Sequence, residues 1–192
     1  MEKGSVKDIL NITIRLFIIC FASTLVLAFV NSLTKGVIEK NNEKVFSEGC
    51  LYVMPGTNET KIVDLTSYGD GIEAAECFNE KGEILGIAVK QSIKGYNKGL
   101  VLMTGVAKDG KTVMGIKVLE HSETPGLGAL ADSENFTEQF REKTYPLATV
   151  KNGGEIVAIS GATKTTNGIL DGGVNKAVEI AKAYFEDKGA EK

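Results

Sequence analysis

From Leu16 to Thr34 the chain runs 19 residues without a charge, bounded by Arg15 and Lys35. The first part of this run, LFIICFASTLVLAFV, holds 13 apolar residues in 15. At about 1.5 Å rise per residue, a helix of this length just crosses a hydrocarbon core about 30 Å thick. A buried core helix would confine its apolar residues to one side, which this run does not do over its first two-thirds. A cleaved signal peptide would also sit behind basic residues such as Lys3, Lys7 and Arg15, but no convincing small-x-small cleavage site follows in FVNSLTKG. The reading carried forward is a retained anchor, with a tail over 1–15, a span over 16–34 and one domain over 35–192. Three basic residues precede the span (Lys3, Lys7, Arg15) and three follow it closely (Lys35, Lys40, Lys44), so composition alone does not orient it.

The remaining length suits one domain of ordinary size. A net charge of −3 with scattered lysines offers no electrostatic footprint for nucleic acid, which excludes that class of partner. The cysteines at 20, 50 and 77 have neither CxxC nor metal-type spacing, and His121 is the sole histidine, so no zinc or iron–sulfur motif can be assembled. Whether Cys50 and Cys77 pair is left open.

Past the span, KGVIEKNNEKVFS (35–47) reads as a helix continuing outward, with apolar residues at 37, 38, 45 and 46. Asn79-Glu80-Lys81-Gly82 separates AAECF from EILGIAVKQ, and Lys108-Asp109-Gly110-Lys111 separates LVLMTGVA from TVMGIKVLE. Asp-Gly between two apolar runs predicts a hairpin, because glycine takes the positive φ of a tight turn without penalty. TVMGIKVLE alternates, predicting Met114, Ile116 and Val118 on one face of an antiparallel meander with one buried side. Phe136 and Phe140 in SENFTEQFREK (133–143) predict a short amphipathic helix, and Leu170, Val174, Ala177, Val178, Ala181 and Phe185 predict a longer C-terminal one. The fold class is therefore α+β: an N-terminal transmembrane helix, then an antiparallel sheet with packed helices.

Two loops carry the candidate chemistry. In AISGATKTTNG (158–168) a predicted strand, EIVAIS, gives way to the C-terminal helix, and Ser160, Thr163, Thr165 and Thr166 surround Gly161 and Ala162. Backbone N–H groups at a helix start favour an anion, and the hydroxyls can donate to phosphate oxygens; they can equally serve as ordinary caps. The loop lacks the Gly-Lys-Ser/Thr ending of a Walker motif. The second loop, HSETPGLG (121–128), is a plain surface turn on one reading. On another, its glycines admit close backbone approach to a flat aromatic ligand beside Leu127.

An anchor, a Gly95-Tyr96 element in KGYNKGL, the HSETPGLG loop and a late SGAT-x-T together resemble the G subunit of the Rnf complex, and more broadly the FMN-binding domain shared with the C subunit of the sodium-pumping NADH:quinone reductase. The resemblance covers nearly the whole chain. It implies FMN held by a phosphodiester to Thr163, installed by a flavin transferase that uses FAD, with Ser160, Gly161, Ala162 and Thr165 as neighbours. It implies cofactor contacts from Glu123, Thr124, Leu127 and Gly128, and from Tyr96. It further implies a redox protein without independent turnover, relaying electrons between ferredoxin and NAD⁺ while Na⁺ or H⁺ crosses the membrane. The other Rnf subunits are the implied partners, the tail over 1–15 lies in the cytoplasm, and the domain faces the extracytoplasmic side. His121 is given no catalytic role. The family's modification motif usually has Asp three positions before the Ser; Val157 stands there in this chain, with Glu155 two residues earlier. The alternatives are the C subunit of the reductase, a membrane-anchored flavin-binding regulatory module, and a flavin-free tether.

Overall fold

The computed structural model describes residues 3–69 and 71–190, and the chain divides into two compact units, Met1–Lys44 and Val45–Lys192. The first unit is helix α1, which spans Lys3–Val53 and so runs on into the second unit. Its apolar side chains, Phe17, Leu27 and Phe29 among them, are exposed along the uncharged run, as a lipid-facing helix requires. The helix is long and apolar enough to cross a membrane.

The second unit is built on a six-stranded antiparallel sheet in sequence order: β1 (Glu59–Val63), β2 (Glu73–Phe78), β3 (Ile84–Lys94), β4 (Lys98–Ala107), β5 (Thr112–Glu120) and β6 (Lys143–Thr144). Both foreseen turns are hairpins. Asn79 Oδ1 accepts the N–H groups of Lys81 and Glu83, while Asp109 Oδ1 accepts those of Lys111 and Thr112, leaving Gly82 and Gly110 at positive φ. A hairpin also joins β3 to β4, and its turn carries Gly95 and Tyr96.

Both faces of the sheet are covered, contrary to the single buried side that the alternation predicts. On one face Ile87, Val89, Leu102, Ile116 and Val118 pack with Phe136, Phe140, Ile169, Val174 and Val178. On the other, Ala75, Cys77, Ala88 and Met103 pack under Cys50 and Val53 from the end of α1 and Met54 just after it. Met114 leaves the face of Ile116 and Val118: the register runs from Gly105↔Gly115 to Val106↔Val113, so Met114 is the extra residue of a bulge and turns to the α1 side.

The foreseen helix over 133–143 forms as α2 (Glu134–Thr137) followed by a 3₁₀ turn (Glu138–Phe140), bringing the two phenylalanine rings edge to face at 5.3 Å. The C-terminal helix is α3 (Thr163–Asn167), a π-helical stretch (Gly168–Asn175) and α4 (Lys176–Ala190). The strand foreseen at EIVAIS is absent. Residues 157–159 lie in irregular backbone, with only an isolated bridge between Thr149 and Ile156, and the Val157 N–H is taken by Gln139 Oε1. The SGAT loop is thus a loop-to-helix junction pinned by side chains.

Candidate functional site

Three turns that are distant in sequence meet at one end of the sheet: the β3–β4 turn, the loop after β5 and the start of α3. What fastens them is Glu123, a buried carboxylate 6% exposed. Its Oε1 accepts the Asn97 N–H at 2.9 Å and its Oε2 accepts the Thr165 hydroxyl at 2.7 Å. Asn97 also donates through Nδ2 to the Ser122 carbonyl at 2.6 Å. The backbone has to come close for this. A Cβ on Gly95 would lie 2.5 Å from Glu123 Oε1, and one on Gly128 would lie 2.3 Å from Oε2, so a side chain at either position would displace the carboxylate. The His121 ring closes the same turn, its Nδ1 accepting the Glu123 N–H at 3.3 Å. A buried polar group is costly unless it is hydrogen-bonded, and each Glu123 oxygen accepts a bond.

Above this joint lies an open groove of about 450 Å³, within the range of small-molecule sites. Tyr96, Thr124, Leu127 and Gly128 line it from the two loops, and Gly161, Ala162, Thr163 and Thr165 from the helix start, with Glu123 at its base. Gly161 has φ +73, and a Cβ there would also press on Leu127 Cδ2. The foreseen residues therefore converge, with one exception: Ser160 is exposed but does not line the groove. Leu127 is 41% exposed and Tyr96 63% exposed, so both present apolar surface to whatever occupies the groove.

The hydroxyls of the SGATKTT stretch separate by role. Thr165 and Thr166 are fully buried. Thr165 is committed to Glu123; Thr166 Oγ1 donates to the Ala162 carbonyl and accepts the Ile159 N–H at 3.1 Å. Neither hydroxyl is left to donate to an anion in the groove, so of the two roles that the sequence leaves open, phosphate donor or cap, these two threonines take a structural one. Thr163 is exposed on the groove wall.

Sequence reasoning passed over two contributors. Asn97 closes the joint from the turn that also carries Gly95 and Tyr96. Lys164, next to Thr163, lines the groove and sets its ammonium 5.5 Å over the Tyr96 ring centroid. A cation beside a candidate anion attachment point is a signal the sequence does contain.

The arrangement offers an exposed hydroxyl at the helix start, Thr163, apolar surface from Leu127 and Tyr96, and one cation, Lys164, among the groove's described residues. That set fits a phosphorylated aromatic ligand such as FMN, and the joint beneath it would hold the groove in shape. Among the described residues no group of acidic, cysteine or histidine side chains could hold a metal ion. A second groove of about 490 Å³ lies beside β6, crossed by the Lys143–Glu155 ion pair, and receives none of the foreseen residues.

The class that this fold and site define is a flavin-binding one. A model of the FMN-binding domain matches residues 95–179, a stretch that takes in the Gly95-Tyr96 turn and both loops. The G subunit of the Na⁺-translocating ferredoxin:NAD⁺ oxidoreductase complex of Acetobacterium woodii is 29% identical, covering 91% of this chain and 92% of that protein. The G subunit of the ion-translocating oxidoreductase complex of Vibrio vulnificus is 30% identical, covering 89% of this chain and 88% of that protein. In fold, the crystal structure of Shewanella oneidensis NqrC is similar at a TM-score of 0.50 and 22% identity, covering 72% of this chain and 71% of that one. The chain belongs to the family of G subunits of ion-translocating oxidoreductase complexes.

Proposed function

We propose that this protein is the flavin-carrying electron relay of a membrane ion-translocating oxidoreductase, holding FMN in the groove above Glu123 through a phosphodiester to the Thr163 hydroxyl. The observation that supports this reading is the position of Thr163, the exposed threonine hydroxyl of its stretch, in the groove that Leu127, Gly128 and Tyr96 also line. FMN, when bound, supplies the electron transfer itself. The protein's residues do the rest. Thr163 tethers the phosphate end, Leu127 and Tyr96 offer apolar surface to the ring system, and Gly128 and Gly161 keep backbone out of its way. Glu123 and Thr165 hold the two loops at a fixed separation, and no side chain of the groove is asked to move a proton during turnover.

Maturation in this reading needs a flavin transferase, and operation needs the other subunits of the complex, as the names of the relatives support. The relatives' names also support electron exchange with ferredoxin and NAD⁺ coupled to ion movement. The domain lies outside the cytoplasm, anchored by the single N-terminal span. A cysteine introduced at exposed Lys151, with the native cysteines replaced, should then react with a membrane-impermeant thiol reagent on intact cells. Reaction only after the membrane is opened would move the domain to the other side.

The deciding experiment is intact mass and fluorescence of the denatured full chain co-expressed with the transferase. The wild type is expected to be heavier by one FMN residue and fluorescent; Thr163→Ala is expected to be neither. Undiminished fluorescence in denatured Thr163→Ala would overturn the attachment site. Replacing Val157 by Asp restores the usual family residue, and equal or higher occupancy is expected.

A further inference from the structure

Lys164 occupies a position that the flavin reading leaves without a task. It is exposed, it follows Thr163 directly, and it lines two grooves at once. One is the groove above Glu123. The other is a shallower depression of about 790 Å³ on the far side of Tyr96, which Lys94 and Asp171 also line. The Lys164 stem and the Tyr96 ring together make the wall between the two, and the ammonium lies 5.5 Å from the ring centroid.

A lysine with four rotatable bonds ordinarily spreads its charge over a wide volume of water. Against an aromatic face, attraction to the ring quadrupole restricts that spread. Tyr96 is itself placed by the buried joint, since the neighbouring Asn97 is tied through its N–H to Glu123 and through Nδ2 to the Ser122 carbonyl. The result is a fixed positive charge at the lip of a groove whose floor carries the Glu123 carboxylate. Lys94 lines only the far depression, so Lys164 is the cation facing the groove among its described lining residues.

Resting on the proposed flavin site, we infer that Lys164, held over Tyr96, is the residue that sets the charge balance of the groove: it strengthens binding of the phosphorylated flavin and raises its reduction potential. Reduction adds negative charge to an occupant of the groove, and a nearby cation favours the more negative form. The effect is screened by salt because the pair is exposed. Tyr96 acts as a positioning residue through its ring rather than its hydroxyl.

Two measurements test this on the full-length protein in detergent. In the first, free FMN is titrated into the Thr163→Ala protein, which cannot be loaded covalently. Adding Lys164→Met is expected to weaken binding about two- to fivefold at low salt, the range for one exposed charge interaction. Lys164→Arg should restore it, and high salt should abolish the difference. In the second, the midpoint potential of the mass-verified flavinylated protein is expected to shift to more negative values in Lys164→Met and in Tyr96→Leu, but not in Tyr96→Phe. FMN binding with unchanged affinity and an unchanged potential in Lys164→Met would overturn the role of Lys164 and leave the flavin site standing. FMN bound but never covalently attached would overturn the Thr163 linkage while the titration still decides for or against Lys164. Failure of the Thr163→Ala protein to bind free FMN, together with a wild type that gains no FMN mass, would overturn both.

Discussion

Beneath the C-terminal helices the sheet is packed with leucine, isoleucine, valine and phenylalanine, whereas under the end of α1 it is packed with cysteine, methionine and alanine over bare glycine backbone. The first face separates helix from strand by full-sized side chains, the usual interdigitated core. The second brings backbone almost onto backbone. A Cβ on Gly105 would lie 2.3 Å from the Val53 carbonyl oxygen, and one on Gly49 would lie 2.7 Å from Met103 Sδ. The lesson is that two faces of one sheet can be buried equally well by volume or by clearance. Each is then vulnerable to the opposite kind of substitution: loss of atoms on one side, gain of atoms on the other.

The largest expected effect is therefore Phe140→Ala on the voluminous face. Phe140 is completely buried, and its truncation should cost about 3–5 kcal/mol, read as a lowered denaturation midpoint of the domain. A loss below about 1 kcal/mol would mean that this face collapses around the cavity and is not tightly packed. Next comes the reverse change on the close face. Gly105→Ala adds a methyl group where the Val53 carbonyl already sits and should cost about 1–3 kcal/mol by overpacking. Gly115→Ala sharpens the point, because its new Cβ would find Arg141 Nη1 at 3.2 Å and the Val53 oxygen at 3.4 Å, contacts that a small shift relieves. Equal losses at 105 and 115 would show that clearance is not what limits this face.

The smallest effect belongs to a turn common to both faces. Burial alone would raise the Asp109 carboxyl, but hydrogen bonds from the Thr112 hydroxyl and from the Thr112 and Lys111 N–H groups outweigh it and hold it below its ordinary value. A group depressed in the folded state contributes stability above its unfolded value, about 3.9 for Asp, and loses that contribution as pH falls through the folded value. Acid unfolding should accordingly weaken the β4–β5 hairpin, and Asp109→Ala should remove that part of the pH dependence. The change should stay below about 1 kcal/mol, since the side chain is exposed and solvent screens it.

The same contrast explains what was legible in the sequence. The voluminous face shows itself as periodicity: Leu170, Val174, Ala177 and Val178 recur at helical spacing and are all buried. The close face leaves little pattern, because glycine carries no side chain and alanine and cysteine only small ones, and so one buried side is expected where there are two. Met114 was misplaced by a bulge that strict alternation cannot anticipate. EIVAIS is as apolar as a strand, yet its buried Ile156 and Ile159 lie three apart in irregular chain, their N–H groups bonded to the Ala148 carbonyl and to Thr166 Oγ1. At the groove, motif and geometry converge where residues are special in kind, as with Gly128 and Thr163. They diverge where a residue matters for its partner: nothing in HSETPGLG says that Glu123 faces Thr165, 42 positions away.

If FMN is attached to Thr163 as proposed, that pairing has a consequence for the order in which the mature protein would be made. In the unfolded chain, Ser160, Thr163, Thr165 and Thr166 stand equally open to an enzyme that esterifies hydroxyls. Once the domain has folded, Thr165 is spent on Glu123 and Thr166 on its own helix, and of the two hydroxyls still exposed only Thr163 lies on the groove. In the proposed reading, folding would act as a proofreader for modification. An enzyme working after folding needs little sequence discrimination to find one address among four, while one working before folding would have to read it letter by letter.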